Sequence, residues 1–161
     1  MSKQKAANPS GIALRPMIGS LLRLPREHVV ARLLAQVNAS GFDVSQTELG
    51  VFMYPGPDGK RPSELAKQCN MSRQAMNYVI AGLETRGYIE RRPGRAASTT
   101  VLHMTPKSQK MYALMRDCVA VIEQEWKTRL GEARFDALCE TLYDLSTWLG
   151  KVDQRKLTSD M

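Results

Sequence analysis

The sequence contains few of the residues that bind metals or form disulfides. Its 161 residues include only three cysteines and two histidines. The cysteines Cys69, Cys118 and Cys139 are far apart, show neither a CxxC nor a Cys/His spacing, and are odd in number, which argues against a zinc site and a disulfide framework. We therefore expect three buried thiols, no bound metal and no cofactor. A redox-sensing role for one thiol stays open, because it depends on exposure and pKa.

Long apolar runs and catalytic motifs are also missing. Charged residues or prolines break every apolar stretch well before the roughly 20 residues of a membrane-spanning helix, and the polar first ten residues lack the apolar part of a signal peptide. The sequence has no phosphate-binding glycine loop, no HExxH and no recognisable nucleophile motif. We expect a cytoplasmic protein that is not an enzyme and does not engage a membrane.

Positive charge is present in excess and is concentrated in one segment. The formal net charge is +7, with 23 Lys and Arg against 16 Asp and Glu. Eight basic and three acidic residues lie between Lys60 and Arg95. A basic segment of this kind favours a polyanionic partner such as nucleic acid.

The spacing of apolar residues predicts a mainly helical chain. From Leu14 to Val37 apolar residues recur at steps of three and four, and Pro25 interrupts them, so we predict a short helix followed by a longer one. A capping box from Ser45 to Glu48 predicts the next helix, over about residues 46–53. The later predicted elements are helices over 62–69 and 73–86, a hairpin from 88–91 and 99–104, and helices over 106–130 and about 135–149.

Residues 62–81 have the pattern of a helix-turn-helix. This motif needs apolar residues where its helices pack, a small residue where they cross, and a turn residue that tolerates a left-handed backbone. Ala66 is the predicted small residue and Asn70 the turn residue. The predicted shared core consists of Leu65, Cys69, Met71, Met76 and Val79.

With those residues facing inward, the helical period turns a polar face of the second helix outward. Arg can pair with guanine, Gln and Asn with adenine, and Tyr with a phosphate, so this face suits a DNA major groove. The alternative is an ordinary solvated helix face. The predicted recognition-helix contacts are Ser72, Arg73, Gln74, Asn77 and Tyr78, and the predicted wing and backbone contacts are Arg61, Ser63, Arg91, Arg92 and Arg95.

The pattern resembles the MarR family of winged-helix transcriptional regulators from about Pro25 to Leu149. The resemblance rests on RPSELA at 61–66, LETRGYIER at 83–91 and TPK at 105–107. It implies a homodimer that places two recognition helices on one pseudo-palindromic DNA site, with half-sites about one helical turn apart. The wing tip at 93–98 lacks the Asp that usually precedes arginines in the family, so weaker wing contacts or a different docking angle would follow.

The resemblance also implies a domain organisation and a fold that is mainly α with a small β-hairpin wing. The helices at both ends offer more apolar surface than one winged domain can cover, which agrees with a dimer. The predicted parts are a flexible arm (1–11), N-terminal dimerisation helices (12–44), a winged helix-turn-helix (45–105), C-terminal dimerisation helices (106–150) and a flexible tail (151–161).

Many members of that family bind small aromatic acids in a crevice between the dimer helices and the winged domain. The resemblance therefore implies a repressor that a small aromatic acid releases from its operator. Arg15, Arg26 and His28 are the candidate effector-binding residues, although surface charge and helix capping explain them equally well. The alternative function is a winged-helix protein-interaction module without sequence-specific DNA binding.

Overall fold

The described part of the chain, residues 16–94 and 99–150 of this computed structural model, is built from six helices and one two-stranded antiparallel sheet. The elements are α1 (Ile18–Ala39), α2 (Gln46–Phe52), α3 (Pro62–Gln68), α4 (Arg73–Thr85), β1 (Ile89–Pro93), β2 (Thr100–Met104), α5 (Pro106–Leu130) and α6 (Glu132–Trp148). The predicted mainly α fold with a β-hairpin wing is confirmed. The predicted arm and tail, Arg15 and Arg95 lie outside the described residues.

The first helix differs from its prediction. Instead of a short helix and a longer one separated at Pro25, the structure has one helix of 22 residues with Pro25 inside it. A proline within a helix removes one N–H donor and crowds the carbonyl four residues earlier, which is costly without forbidding the helix. That carbonyl belongs to Leu21 on the exposed N-terminal part of α1, where water can supply the missing hydrogen bond.

Three predicted helix starts are confirmed by their caps. The Ser45 hydroxyl accepts the Glu48 N–H at 3.3 Å and the Glu48 carboxylate accepts the Ser45 N–H at 2.8 Å, which completes the predicted capping box. Ser72 and Thr105 each accept a backbone N–H from the first turn of the helix that follows, at 3.1 Å and 3.4 Å. These caps satisfy donors that a helix start otherwise leaves unpaired.

The core joins the helix-turn-helix to α1, α2 and α5. Helix α1 packs along α5, and α3 packs against α4. Each large apolar side chain removed from water contributes about 1.5–3 kcal/mol to stability. The fully buried core side chains include Leu33, Val37, Leu49, Phe52, Leu65, Met76, Ile80, Leu83, Leu102 and Met111.

The turn between α3 and α4 has the predicted geometry. Asn70 lies in the left-handed region with φ of 53°, and Ala66 is buried where the two helices meet. The Met71 N–H donates to the Ala66 carbonyl at 2.9 Å and closes the turn. In the predicted shared core, Leu65 and Met76 are buried and Cys69, Met71 and Val79 are half-buried.

The base of the wing is tethered to the loop before α3. The Gly59 N–H donates to the Leu102 carbonyl and the Leu102 N–H donates to the Lys60 carbonyl, both at 2.8 Å. The Asp58 carboxylate accepts the Met104 N–H at 2.6 Å. These bonds extend the hairpin with a short third segment and fix its base against the helix-turn-helix.

Large apolar side chains are exposed at the start of α1 and the end of α6. Met17 is 79% exposed and Trp148 is 80% exposed. A surface of this kind is typical of a face that a partner covers. The other exposed apolar side chains of these helices are Ile18, Leu21, Leu22, Leu24, Leu138, Tyr143 and Leu145.

The cysteines are less buried than predicted. Cys69 and Cys118 are half-buried, and Cys139 is exposed because it lies on the outer side of α6. Burial raises the pKa of Cys69, and burial together with the charges of Glu123 and Asp136 raises the pKa of Cys139. Both thiols therefore favour the neutral form, which is the less reactive one.

Candidate nucleic-acid interface

Helix α4 has one buried face and one polar, exposed face. Met76, Ile80 and Leu83 are fully buried, and the opposite side of these 13 residues faces solvent. Tyr78 is 84% exposed, which is unusual for an aromatic side chain that has no role at a surface. The predicted recognition-helix residues Ser72, Arg73, Gln74, Asn77 and Tyr78 are all exposed.

Most of these exposed side chains are unengaged within the described part of the chain. Neither a hydrogen bond nor an ion pair joins the side chain of Arg73, Gln74 or Asn77 to another described residue. Ser72 differs because its oxygen caps α4, although its O–H can still donate. The face therefore presents polar groups whose hydrogen-bonding capacity is available to a partner.

The two arginines of β1 that were predicted to contact DNA each have a carboxylate partner. Arg91 Nε donates to Glu84 Oε1 at 2.8 Å and so joins the wing to the end of α4. Arg92 pairs with Glu90, on the face of the strand opposite to Arg91. Neither pair was predicted from the sequence. The two-residue spacing of Glu90 and Arg92 on one strand face was a signal for the second, whereas the first depends on how the hairpin folds back.

A groove of about 340 Å³ lies between α3, α4 and the start of β2, next to the wing tip. It brings together four predicted contact residues, two from the start of α3 and two from α4. Its lining residues are Arg61, Pro62, Ser63, Arg73, Asn77, Thr99 and Thr100. Arg61 Nη2 donates to Glu64 Oε1 at 2.7 Å, and this bond holds the pKa of Glu64 below its usual range.

A wider groove of about 950 Å³ runs along the other side of α4, next to α2. Gln74 and Tyr78 line it from α4, and Thr47 lines it from α2. The recognition face is therefore divided, with Arg73 and Asn77 toward the wing and Gln74 and Tyr78 toward α2. The helical period predicted which residues face outward but not that Thr47 stands beside them.

The predicted effector-binding residues are not gathered in one site. Arg26 lines a groove of about 700 Å³ that extends to Cys69 at the end of α3. The ring of His28 lies beside that of Trp126, with centroids 6.2 Å apart. Two residues apart on a helix, Arg26 and His28 face different directions.

An apolar crevice of about 450 Å³ lies between α1, the end of α2 and α5. Its size is in the range of small-molecule sites, which combine apolar walls with a few polar groups. The crevice is not apparent from the sequence, because its walls come from distant segments. The apolar walls include Val29, Leu33, Phe52, Met115 and Val119, and the polar groups belong to Tyr54, Tyr112, Arg116 and Glu123.

The described residues show neither a metal-binding cluster nor a membrane-spanning helix. Within residues 16–94 and 99–150 no three His, Cys, Asp or Glu side chains lie close enough to hold a metal ion. In the same ranges, none of the helices has the length and apolar character needed to cross a membrane.

Comparisons with known proteins agree with the winged-helix geometry. Residues 51–97 match the model of the MarR family, and no curated protein matches the chain. Solved structures with this fold include a mutant of MepR from a multidrug resistant S. aureus clinical isolate, with a TM-score of 0.68 and 14% identity over 84% of this chain and 99% of that chain.

Two further structures of this fold carry bound molecules. The transcriptional repressor CouR, bound to a 23-mer DNA duplex, has a TM-score of 0.60 and 22% identity over 81% of this chain and 92% of that chain. NadR in complex with 4-hydroxyphenylacetate has a TM-score of 0.62 and 19% identity over 91% of this chain and 98% of that chain. The similarity to MarR regulators predicted from the sequence is confirmed at the level of fold and of the matched segment.

Proposed function

From the premise that this chain has a MarR-type winged helix, we propose that it is a transcriptional repressor that binds a pseudo-palindromic DNA site as a homodimer. The observation that carries the proposal is the exposed face of α4, where Arg73, Gln74, Asn77 and Tyr78 stand together. The similar fold of CouR, a repressor bound to DNA, supports it.

The dimensions and chemistry of α4 suit the major groove. At 1.5 Å per residue the helix is about 20 Å long, and the major groove is wide enough to admit a helix. Arg73 can donate two hydrogen bonds to guanine, and Asn77 or Gln74 can pair with adenine. Tyr78, at the side of this face, can donate to a phosphate or pack against a thymine methyl group.

The residues around α4 suit contacts with the DNA backbone. Ser63 and Arg61 flank the groove beside Arg73, and Arg92 lies on the wing. The pair between Arg92 and Glu90 is exposed, and pairs of this kind contribute at most about 1 kcal/mol, so Arg92 can exchange Glu90 for a phosphate. Arg91 is more deeply engaged with Glu84 and serves to hold the wing against α4.

The exposed apolar ends of α1 and α6 supply the dimer surface in this proposal. Burying Met17, Ile18 and Trp148 against a second copy would remove side chains that are now mostly in water. Two copies of α4 then face one side of the DNA, with half-sites about one helical turn apart.

Selection of bound duplexes from a random DNA pool tests the proposed function. We expect enrichment of an inverted repeat with half-sites about 10 base pairs apart, and an affinity that falls as salt rises, because phosphate contacts release counterions. An acidic homopolymer such as polyglutamate serves as a control for charge alone. Weak binding without an enriched sequence would favour the protein-interaction module instead.

The crevice between α1 and α5 is the proposed effector site. Its aromatic and apolar walls suit an aromatic ring, and Arg116 at its edge suits a carboxylate. The complex of the similarly folded NadR with 4-hydroxyphenylacetate supports a small aromatic acid. In this proposal Arg116, rather than Arg26 or His28, receives the acid.

We expect 4-hydroxyphenylacetate to bind to the protein and lower its affinity for the selected duplex. Replacing Arg116 by Met should weaken this binding by about tenfold or more, because a charged hydrogen bond contributes about 1.5–3 kcal/mol. Isothermal titration calorimetry measures it, with Arg26→Met as the matched control. Equal weakening by both substitutions would place the carboxylate outside the crevice.

A further inference from the structure

Arg86 follows α4 directly and makes contacts with several other elements. Its Nε donates to the Gly82 carbonyl at 3.0 Å, and its Nη1 donates to the Asp43 carbonyl at 2.7 Å. Its Nη2 forms an ion pair with Glu48 of α2, whose side chain is only 14% exposed. All three guanidinium nitrogens are therefore engaged inside the protein.

The same residue is joined to the wing and to α5. The guanidinium carbon lies 5.8 Å from the ring centroid of Tyr88, which is fully buried just before β1. Lys107 of α5 donates from Nζ to the Arg86 carbonyl at 2.9 Å and lies 4.1 Å from the same ring centroid. Arg86 is thus the point at which α2, α4, the wing and α5 meet.

Glu48 is itself firmly held. Its carboxylate accepts hydrogen bonds from the backbone N–H and the hydroxyl of Ser45, at 2.8 Å and 3.0 Å. Burial raises the pKa of Glu48, but the bonds from Ser45 and Arg86 outweigh burial, so the pKa lies below its usual range. The carboxylate is therefore ionised at neutral pH and offers Arg86 a fixed anionic partner.

These contacts differ in kind from the apolar packing of α4. Met76, Ile80 and Leu83 bury the helix, but hydrophobic attraction is largely non-directional and leaves the rotation and tilt of a helix loosely specified. Hydrogen bonds and an ion pair with a hydrogen-bonded geometry impose direction. Recognition by side chains requires their placement within about 0.5 Å and 10–20°, and the Arg86 contacts add direction to the packing of α4.

We propose that Arg86 is a positioning residue for DNA recognition, whose side chain fixes the direction in which α4 presents its side chains by holding the end of that helix to α2 and to the Asp43 carbonyl before α2. This inference rests on the proposed function, since it assigns the residue that orients the recognition face. Arg86 acts through α4 and makes no contact with DNA itself.

Three single substitutions test this role. Arg86→Met removes the side-chain contacts and leaves the bond from Lys107 to the backbone carbonyl of residue 86. Arg86→Lys keeps only the charge, and Glu48→Gln removes the anionic partner. Arg134→Met, on the exposed part of α6, is the control for loss of one positive charge. Affinity is measured by fluorescence anisotropy for the duplex enriched by selection and for a scrambled duplex of equal length, at one salt concentration and at a temperature where circular dichroism shows each variant folded.

We expect Arg86→Met to lower the ratio of specific to scrambled affinity by about tenfold, within the range that interaction networks transmit. Arg86→Lys and Glu48→Gln should each lower it less, and Arg86→Met combined with Glu48→Gln should add little to Arg86→Met alone, because both changes break one pair. Arg134→Met should leave the ratio unchanged. If Arg86→Met does not fold, the affinity ratios of Arg86→Lys and Glu48→Gln test the positioning role.

Variants that melt at lower temperature but keep the wild-type ratio would overturn the assignment, because Arg86 would then only stabilise the fold. Equal affinity of the wild-type protein for the selected and the scrambled duplex would be a separate outcome. It would overturn the proposed function and, with it, the assignment of Arg86.

Discussion

Replacing Arg73 by alanine is expected to reduce affinity for the selected duplex by about 5- to 150-fold, because a bidentate pair with guanine contributes about 1–3 kcal/mol. Arg73 is exposed, and no described residue holds its guanidinium. The loss should come from one guanine of each half-site. When that guanine is replaced in the duplex, the wild type and the Arg73→Ala variant should therefore bind with similar affinity.

The matched control for this prediction is Arg92→Ala, which removes the same charge from the wing. We expect it to weaken binding to all sequences by similar factors and to reduce the slope of log affinity against log salt by about one, as loss of one phosphate contact does. Fluorescence anisotropy on the selected duplex and on its single-base variants measures both effects. An equal loss on every duplex for Arg73→Ala would assign Arg73 to the phosphate backbone instead.

Replacing Met76 by aspartate is expected to unfold the winged helix. Met76 is fully buried between α3 and α4, so the substitution removes apolar contacts and places an unpaired carboxylate in the core. Leaving a buried charge unpaired costs about 3–5 kcal/mol, which is comparable to the whole stability of a small domain, about 5–15 kcal/mol.

Asn77→Asp is the control for this second prediction, because it introduces the same carboxylate one residue away on the exposed face of α4. Thermal unfolding followed by circular dichroism should show the Asn77→Asp variant close to the wild type and the Met76→Asp variant unfolded or much less stable. In the DNA assay Asn77→Asp should bind poorly, since a carboxylate replaces the amide that is proposed to face the bases. Wild-type stability of Met76→Asp would contradict the packing of α4 described above.

The features that the sequence predicted well depend on residues close together in the chain. The caps at Ser45, Ser72 and Thr105 bond to donors three residues later, and the two faces of α4 follow from the helical period alone. The left-handed turn at Asn70 is likewise a local property. Local signals of this kind specify where elements begin and which side of a helix is buried.

The features that the sequence did not predict arise from contacts between distant segments. The sequence shows Arg86 only as one of several basic residues, because its partner Glu48 is 38 positions away. The pair of Arg91 with Glu84 requires the hairpin to fold back on α4, and the crevice requires α1 to pack along α5. The predicted helix break at Pro25 is wrong. The low helix propensity of proline is overcome where neighbouring turns continue the helix.

The bonds that hold the base of the wing to residues 58–60 bear on the entropy of DNA binding. Ordering one residue of a flexible chain costs about 1–2 kcal/mol of conformational entropy. Leu102 and Met104 are already fixed by their bonds to that loop in the free protein. The conformational entropy of this part of the hairpin is therefore lost when the chain folds, and in the proposed complex DNA would meet a wing whose base is ordered in advance.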